Sequence, residues 1–497
     1  MQWSNKLNRF ILLFFLAAAG YSLLIFAYTL FQPLRTDDTF WHLKIGEILW
    51  MNKSFPQQDP LLFTSPGMTP LYHEWLFQIL LSGIEKTFGI YSLRFLHLLL
   101  GFFITALVWK ISAHFLDSRL LKGSSCLIFI LFSFQRLIQL RPELFTIIIF
   151  LSLILIFLKP LKISSKCLLV FLLCLTGCNM HSLFLMVFPF LGLFVLLSRN
   201  RNTFLPFVSG LLAACFNPMG IQYFVFYWVG DSRNPYQDVI DEWGHFNPLG
   251  MTDFLPLSSP VLIAGYIFLM IICLWGVRNY KQENIVSIPK SCLFLHLSSL
   301  LSLGLMGFAV RFFWLSFFPI LYTLSFMEKN QTMKKPLLKP LFFGTAAFML
   351  LFHFFLPSTR IYCFPWDPPS LLKSYFSWPV DRVKYNADAA QFLKNNKIRG
   401  NVFNPYYMGG YLSYILHPDC KMFIDGRFEH YSRQVNGDYY HILSGSSDFM
   451  TLIRHYQIDY LFLPHECDSE ELESALEKNA FPKIYEDRLT RIYKVEK

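Results

Sequence analysis

The sequence predicts a polytopic α-helical membrane protein that carries a small α/β domain at its C-terminus. Hydrophobic residues make up 54% of the 497 residues and charged residues only 15%, whereas an average soluble domain carries about 25% charged residues. Apolar runs long enough to cross a bilayer recur from Ile11 to about Leu356. After Pro357 the pattern changes to alternating strand-like and helix-like segments. The composition therefore excludes an ordinary cytosolic enzyme and a disordered chain.

Hydropathy places about eleven spans in the first 357 residues, provided that the stretch 72–88 is not itself a span. That stretch contains Glu74, Glu85 and Lys86, and counting it as a span would invert every later loop. We therefore interpret it as an amphipathic helix in the membrane interface. The predicted spans are 10–31, 91–111, 123–135, 142–158, 167–181, 182–198, 203–217, 258–277, 291–309, 311–327 and 338–357.

Basic residues are distributed unevenly around these spans. If the N-terminus is cytoplasmic, the cytoplasmic loops hold 17 of the 26 Lys and Arg residues that precede residue 358, against three acids. Because Lys and Arg favour cytoplasmic loops, this bias predicts a cytoplasmic N-terminus and an extracytoplasmic C-terminal domain. No basic stretch forms a continuous face, so the net charge of +10 reflects topology and does not indicate a nucleic-acid partner.

The predicted domains are a transmembrane domain over 1–357, a Pro-rich linker over 358–385 and an extracytoplasmic α/β domain over 386–497. Outside loops at about 32–90 and 218–257 interrupt the spans. In the last domain the alternation of strands and helices favours a largely parallel sheet with a closing hairpin. Its predicted helices are 387–396, 408–416, 449–457 and 469–479, its predicted strands are 401–404, 421–424 and 459–463, and its hairpin is 484–495.

Two adjacent acids, Asp37 and Asp38, follow the first predicted span, where the next helix leaves the membrane. Such acids suit a helix N-terminus, because Asp is a favoured cap and the helix dipole favours negative charge. Alternatively, one of them is a catalytic base, which must lie at headgroup depth to serve a lipid-linked substrate whose reactive phosphate lies there. Both interpretations stay open from the residues alone.

Four neighbouring residues extend this candidate site. Trp41 and His42 follow the acids on the same predicted helix, and His73 and Glu74 open the interfacial helix, so that Glu74 is a third candidate catalytic carboxylate. Asp38, Glu74 and His73 together can hold a divalent cation, Mg²⁺ or Mn²⁺, and an imidazole also allows Zn²⁺. Their spacing is not that of a metal motif, so the cofactor stays unknown. A structural role for the histidines is the alternative.

Several arginines lie at the outside ends of spans, against the positive-inside rule. Because the guanidinium fork matches phosphate oxygens, we expect them to bind the phosphate of a lipid substrate; the alternative is snorkelling to lipid headgroups. In the second outside loop, Glu242 is a candidate on the acceptor side, although a solvated loop is the simpler interpretation. The arginines are Arg94, Arg136, Arg141 and Arg311.

Several short motifs together carry a family resemblance. The chain resembles the GT-C superfamily of membrane glycosyltransferases, and in particular a largely uncharacterised bacterial group of GT-C-like proteins. The stretch TPLYHEWLFQIL also resembles a segment of the more distant lipid-A aminoarabinose and protein mannosyl transferases. Position 40 is Phe where that bacterial group usually has Trp. The motifs are DTFWHL (38–43), DPLLFT (59–64), HEWL (73–76), RPELF (141–145), MGGYL (408–412) and FIDGRFEHY (423–431).

The resemblance implies a multi-pass protein of a bacterial cytoplasmic membrane. It also implies an enzyme that moves a sugar, with inversion, from a polyprenyl-phosphate donor to an extracytoplasmic lipid, glycan or protein. Asp38 or Asp37 would be the base, and the arginines would steady the departing lipid phosphate. The implied partners are a polyprenyl-phosphate sugar and membrane lipid, while the oligomeric state stays open.

Two alternatives belong to other functional classes. The first is a transporter or flippase of lipid-linked glycans, but such proteins tend to show repeats and midplane sites; no repeat is evident in the sequence, and the acids lie at the membrane surface. The second is a non-catalytic membrane assembly factor, in which the acids would tolerate substitution. Replacement of Asp38 by Asn separates both from an enzyme.

Overall fold

The computed structural model describes residues 2–34, 36–68, 70–224, 260–282, 289–329, 343–344, 346–347 and 379–496. Glu242, most of the second outside loop, most of the predicted span 338–357 and most of the linker lie outside these residues. The helices are α1 (Gln2–Leu30), α2 (Asp37–Asn52), α3 (Trp75–Phe88), α4 (Ser92–Ser112), α5 (Arg119–Leu137), α6 (Glu143–Leu158), α7 (Ile163–Met180), α8 (Val187–Ser198), α9 (Arg201–Ala214), α10 (Pro260–Gln282), α11 (Lys290–Phe308), α12 (Phe317–Lys329), α13 (Ala387–Asn395), α14 (Tyr406–Leu416), α15 (Arg433–Leu443), α16 (Phe449–His455) and α17 (Glu470–Asn479). The strands are β1 (Gly400–Phe403), β2 (Cys420–Met422), β3 (Tyr460–Pro464), β4 (Lys483–Glu486) and β5 (Thr490–Lys494).

Helices that can cross a membrane dominate the chain. Among the described residues, six helical stretches are long and apolar enough for a span, and three apolar helices are shorter. Every predicted span up to 311–327 overlaps a described helix. The chain is therefore a mostly helical, multi-pass membrane protein, while the number of about eleven spans stays a prediction. The six long stretches are Arg9–Leu30, Ser92–Ser112, Arg119–Leu137, Ile163–Met180, Lys290–Phe308 and Val310–Lys329.

Residue contacts divide the chain into two units that do not follow sequence order. One unit contains Phe95–Gly220 together with the first helix and the later apolar helices. The other joins Pro33–Arg94 to the described part of Lys373–Lys497. The residues of the first outside loop therefore share a unit with the C-terminal sheet.

Small and polar side chains bring helices together within the membrane unit. A side chain at Gly210 of α9 would meet Cys174 of α7 at 2.9 Å, so the glycine permits a close helix contact of the kind common in membranes. His181 Nδ1 lies 3.0 Å from the hydroxyl of Thr146. Cys174 is thus a packing residue, as expected for a cysteine in an apolar span.

The C-terminal sheet has the strand order β2-β1-β3-β5-β4. β1 pairs in parallel with β2 and with β3, whereas β5 is antiparallel to β3 and closes a hairpin with β4. The sequence predicted these strands and the helices around them to within two residues at most ends. It missed α15, although the buried Val435, Tyr439 and Ile442 have helical spacing.

The first outside loop covers the free edge of this sheet. The backbone N–H of Met422 donates to the carbonyl of Leu61 at 2.9 Å, and the N–H of Phe63 donates to the carbonyl of Met422 at 3.2 Å. The N–H of Leu34 also donates to the carbonyl of Pro379 at 2.8 Å. Because the bonds of Leu61 and Phe63 use the donor and acceptor of Met422 in the edge strand β2, they join the loop to the sheet.

A buried ion cluster strengthens the same junction. Arg427 Nη1 donates to Asp59 Oδ2 at 2.8 Å and Arg427 Nη2 to Asp425 Oδ2 at 2.6 Å. His430 Nδ1 lies 2.6 Å from Asp59 Oδ2. The side chains of Arg427, Asp59 and Asp425 are at most 3% exposed. Burial by itself raises the pKa of Asp59, but Arg427 and His430 outweigh it and lower this pKa far below its usual range.

We predict that Asp59→Asn destabilises the protein. The substitution weakens the charged hydrogen bonds that this carboxylate makes with Arg427 and His430, while Arg427 keeps its pair with Asp425, and losing hydrogen bonds to a charged group costs about 1.5–3 kcal/mol. Because the folded-state pKa of Asp59 is lowered, its contribution is complete above the unfolded-state pKa of about 3.9 and is lost as the pH falls further. The thermal midpoint of the full chain in detergent should be lower for Asp59→Asn at pH 7 and should change less than that of wild type on acidification below pH 4.

Asp419→Asn provides a matched control for this measurement. Asp419 pairs with Arg399 at 3.0 Å in the same unit, but the two side chains are 47% and 78% exposed. Exposed pairs contribute about 0–1 kcal/mol, so this variant should keep the wild-type midpoint. Equal midpoints for the two variants would contradict a stabilising role of the buried cluster.

Candidate active site

The two adjacent acids lie in the first turn of α2. Thr36 occupies the N-cap position, and its side chain makes no capping hydrogen bond. Asp37 and Asp38 follow it and face solvent in part. The helix dipole favours their charge, but neither acid is the N-cap residue, so capping does not account for both side chains.

Asp37 is bound by the last two residues of the predicted linker, Lys384 and Tyr385. Lys384 Nζ lies 2.6 Å from Asp37 Oδ1, and the hydroxyl of Tyr385 donates to the same oxygen at 3.4 Å. Burial, together with Asp37, raises the pKa of Tyr385 well above its usual value, so the phenol stays protonated and remains a donor. Lys384 and Tyr385 therefore both hold the same oxygen of the Asp37 carboxylate.

Asp38 has a different environment. Its Oδ1 accepts a hydrogen bond from the indole Nε1 of Trp41 at 3.2 Å. A Cβ built on Gly426 would lie 2.8 Å from the same oxygen, so the carboxylate rests directly against the backbone of the C-terminal domain. The indole N–H and the glycine backbone together fix the carboxylate.

Trp41 is held in turn by residues of the C-terminal domain. The guanidinium of Arg427 lies 5.7 Å from the centre of the Trp41 ring, a distance at which a cation is attracted to an indole face. A Cβ on Gly410 would lie 3.2 Å from Trp41 Cδ1, so only glycine allows α14 to approach α2 this closely. Trp41 therefore connects the buried ion cluster to Asp38.

Glu74 and the two histidines adjoin this group. The ring centres of Trp41 and His42 are 3.6 Å apart. His42 Nε2 lies 3.8 Å from Glu74 Oε2, and His73 Nε2 lies 3.7 Å from Glu74 Oε1. Burial lowers the pKa of His73, which favours its neutral form. The structure thus brings Asp38, Trp41, His42, Glu74 and His73 into one continuous group, while their functional roles stay predictions.

This group does not have the geometry of a metal site. Within the described parts of the chain, no three His, Cys, Asp or Glu side chains are arranged to hold a metal ion. Asp38, Glu74 and His73, the predicted ligands, do not form such a set. The residues present therefore do not fit the divalent cation considered from the sequence.

The predicted phosphate-binding arginines belong to different units. Arg94 is in the same unit as the acids and is 1% exposed. Arg136, Arg141 and Arg311 belong to the membrane unit, where Arg136 Nη1 lies 3.4 Å from the carboxylate of the buried Glu143. Glu242 lies outside the described residues, so its role stays a prediction.

Several residues of the site were assigned no functional role from the sequence. Lys384 and Tyr385 follow a Pro-rich stretch that gave no signal. Asp425, Gly426 and Arg427 lie in the motif FIDGRFEHY, which entered the sequence analysis only as part of the family resemblance. The sequence did hold a signal for a buried ion cluster: Asp425 and Arg427 lie in the apolar segment FIDGRF, and Asp59 lies in the apolar segment DPLLFT. Charged residues in such segments are rarely buried unless they are paired.

Comparison with known proteins shows which solved structures have a similar fold. No protein-family model and no curated protein matches the chain. Among solved structures, the chain is similar to the archaeal oligosaccharyltransferase AglB from Archaeoglobus fulgidus in complex with an inhibitory peptide and a dolichol-phosphate. The TM-score is 0.58 at 11% identity, over 93% of this chain and 72% of that one. A complex of the Archaeoglobus fulgidus oligosaccharyltransferase with Zn and sulfate gives 0.56 at 12% identity, over 92% and 69%.

The chain is also similar to ArnT from Cupriavidus metallidurans bound to undecaprenyl phosphate. The TM-score is 0.53 at 12% identity, and the alignment covers 96% of this chain and 97% of that one. At such identities the likeness concerns the fold. The chain therefore shares the fold of these oligosaccharyltransferase and ArnT structures, and this likeness supports the resemblance to GT-C proteins that its motifs predicted.

Proposed function

We propose that this protein is a membrane glycosyltransferase that moves a sugar from a polyprenyl-phosphate donor to an extracytoplasmic acceptor, with Asp38 as the general base. The observation that carries the proposal is the carboxylate of Asp38, bound to the Trp41 indole at 3.2 Å and seated against Gly426. The fold supports it, since solved proteins of this fold contain dolichol-phosphate or undecaprenyl phosphate.

We assign the base to Asp38 and not to Asp37 because the two carboxylates have different partners. Asp37 forms an ion pair with Lys384 and accepts from Tyr385, so its Oδ1 is already engaged with two side chains. Asp38 accepts a hydrogen bond from the Trp41 indole, which orients its carboxylate. Asp37 then serves to anchor the first turn of α2 to the C-terminal domain.

The proposed reaction is a single displacement with inversion at the anomeric carbon. Asp38 accepts the proton of the acceptor group as the acceptor atom bonds to that carbon. The bond between the anomeric carbon and the phosphate oxygen breaks, and its electron pair leaves with the lipid phosphate. Positive groups stabilise the charge that develops on this phosphate. Arg94, Arg136, Arg141 and Arg311 are our candidates for that role.

The proposed orientation follows from the basic loops. The N-terminus lies in the cytoplasm, and the C-terminal domain lies outside it, where no nucleotide sugar is needed because the lipid carrier already holds an activated sugar. We further propose a bacterial cytoplasmic membrane as the location, on the strength of the sequence motifs.

We predict that Asp38→Asn lowers the rate of glycosyl transfer by about 10²–10⁴-fold, the usual contribution of a general base. Asp37→Asn should lower it by about tenfold or less, because a partly exposed ion pair contributes about 0–1 kcal/mol. The measurement is mass spectrometry of surface glycans in a deletion strain that expresses each variant at the wild-type level.

The other functional classes give different results in this experiment. Full glycan transfer by Asp38→Asn would contradict the proposed base and favour an assembly factor. Accumulation of a lipid-linked glycan on one membrane face, with no new glycosidic bond in the wild type, would favour a transporter. A larger loss in Asp37→Asn than in Asp38→Asn would exchange the proposed roles of the two acids.

We also predict that Gly426→Ala impairs the enzyme without unfolding it. The new methyl group would lie 2.8 Å from Asp38 Oδ1, so the carboxylate must shift, and a displacement of about 1 Å costs about 100-fold in rate. Transfer rate and thermal midpoint should be measured together.

Gly437→Ala is the matched control for this substitution. Gly437 lies in α15 of the same unit, and a Cβ there meets nothing within 4 Å. Alanine favours the helix by about 0.5–1 kcal/mol, so this variant should keep full activity and lose no stability. Equal activity of the two variants would show that the contact between Asp38 and the Gly426 backbone is unimportant for transfer.

A further inference from the structure

The carboxyl ends of the parallel strands form an edge beside Asp38. β1, β2 and β3 end at Phe403, Met422 and Pro464. β1 lies between the other two strands, so the chain leaves β1 to one side for β2 and later returns to its other side for β3. Ligands of such sheets bind outside the carboxyl ends of the strands, at the point where the strand order reverses.

Aromatic rings gather at this edge. Tyr406 and Tyr407 follow β1, and their ring centres are 5.9 Å apart. Phe428 follows β2, and its ring centre lies 5.9 Å from that of Tyr406. The hydroxyl of Tyr439 accepts from the backbone N–H of Tyr406 at 3.4 Å, and the ring centre of Tyr440 is 5.1 Å from that of Tyr439. Tyr406 and Tyr440 are 42% and 48% exposed.

A carboxylate lies among these rings. Glu466 follows β3, is exposed, and accepts a hydrogen bond from the hydroxyl of Tyr407. Burial and Glu466 together raise the pKa of Tyr407 above its usual range, so its hydroxyl stays protonated and continues to donate. We name Tyr406, Tyr407, Phe428, Tyr440 and Glu466 the aromatic edge.

The aromatic edge adjoins the candidate base. Phe428 is two residues from Gly426, and two residues of extended chain span about 7 Å at most. The Gly426 backbone is the surface against which Asp38 Oδ1 rests. A ligand that covers the rings of Phe428 and Tyr406 can therefore extend to the carboxylate.

We infer that the aromatic edge binds the acceptor of the proposed reaction and that this acceptor is a carbohydrate; the inference rests on the proposed function. A pyranose ring has an apolar C–H face that packs on an aromatic ring, and its hydroxyls donate to a carboxylate. The exposed ring of Tyr406 offers the first contact, and Glu466, which is bound to the neighbouring Tyr407, offers the second. A peptide could instead bind by adding a strand to the sheet. It cannot pair with β2 next to Asp38, because Leu61 and Phe63 already form hydrogen bonds with that strand.

The test uses full-length protein in detergent, a lipid extract of the source cells as the donor, and surface glycan extracted from a deletion strain as the acceptor. Tyr406→Ala and Tyr440→Ala should each raise the KM for the glycan by about threefold to tenfold, the value of one lost aromatic contact, with kcat unchanged. Tyr406→Phe should retain the wild-type KM, because it keeps the ring.

Tyr460→Ala is the control variant. Tyr460 is the first residue of β3, so it lies at the amino end of that strand, away from the carboxyl ends beside the aromatic edge. Its removal should therefore leave the KM for the glycan unchanged. Transfer by the wild type with an unchanged KM in Tyr406→Ala and Tyr440→Ala would overturn the inference. Transfer to a peptide and not to the glycan would overturn it as well.

Failure of the proposed function gives a separate result. If the wild type transfers no sugar, binding of the same extracted glycan to the purified protein is measured by calorimetry. Binding that Tyr406→Ala weakens and Tyr460→Ala retains would support the aromatic edge as a carbohydrate site in a protein without the proposed activity. No binding by the wild type would overturn the inference itself.

Discussion

Burial of one guanidinium organises the region around Asp38. The side chain of Arg427 is 3% exposed, and a charge removed from water must be compensated within the protein. Asp425 compensates it from the same segment, and Asp59 does so from 368 residues away in sequence. The loop that contains Asp59 cannot leave the sheet without exposing this cluster. The same guanidinium lies over Trp41, so the orientation of Asp38 depends on it.

The first turn of α2 is fixed by aromatic contacts as well as by charge. Phe40 is completely buried, and its ring centre lies 5.0 Å from those of Tyr385 and Tyr411 and 5.7 Å from that of Tyr414. A phenyl ring fits such an enclosure without a polar group that needs a partner, whereas an indole has an N–H to satisfy. The replacement of the usual Trp by Phe at this position is therefore compatible with a firmly held helix start.

Local patterns predicted most of the fold. Apolar runs marked the helices up to 311–327, and strand and helix periodicity marked the C-terminal elements from Ala387 to the closing hairpin. α15 was missed because Gly437 and Asp438 interrupt an otherwise helical pattern. Periodicity describes neighbours in sequence, and it carries no information on which distant segments meet.

In the candidate site, too, the sequence predicted neighbouring residues better than contacts between distant segments. The group around Asp38 was predicted because its members are close in sequence or lie in recognisable motifs. Lys384, Tyr385 and Asp59 were not assigned to it, since their partners are hundreds of residues away. Asp425 and Arg427 were visible as charges in an apolar context, but a turn explains such a segment equally well until Asp59 is placed beside it. Long-range charge compensation could not be derived from one sequence.

The first outside loop, which contains Asp38, belongs to the same unit as the C-terminal sheet. A lipid-linked donor is confined to the membrane by its carrier, whereas an acceptor arrives from the aqueous side and must be brought to the base. Because the sheet edge is joined to α2 through Gly426, Trp41 and the buried cluster, an acceptor held on that edge would be positioned relative to Asp38 by one set of packed elements. Positioning of this kind converts an encounter of two reactants into a step within a complex. Under the proposed function, the C-terminal domain would be part of the catalytic apparatus, because it would both hold the base in place and present the group from which the base takes a proton.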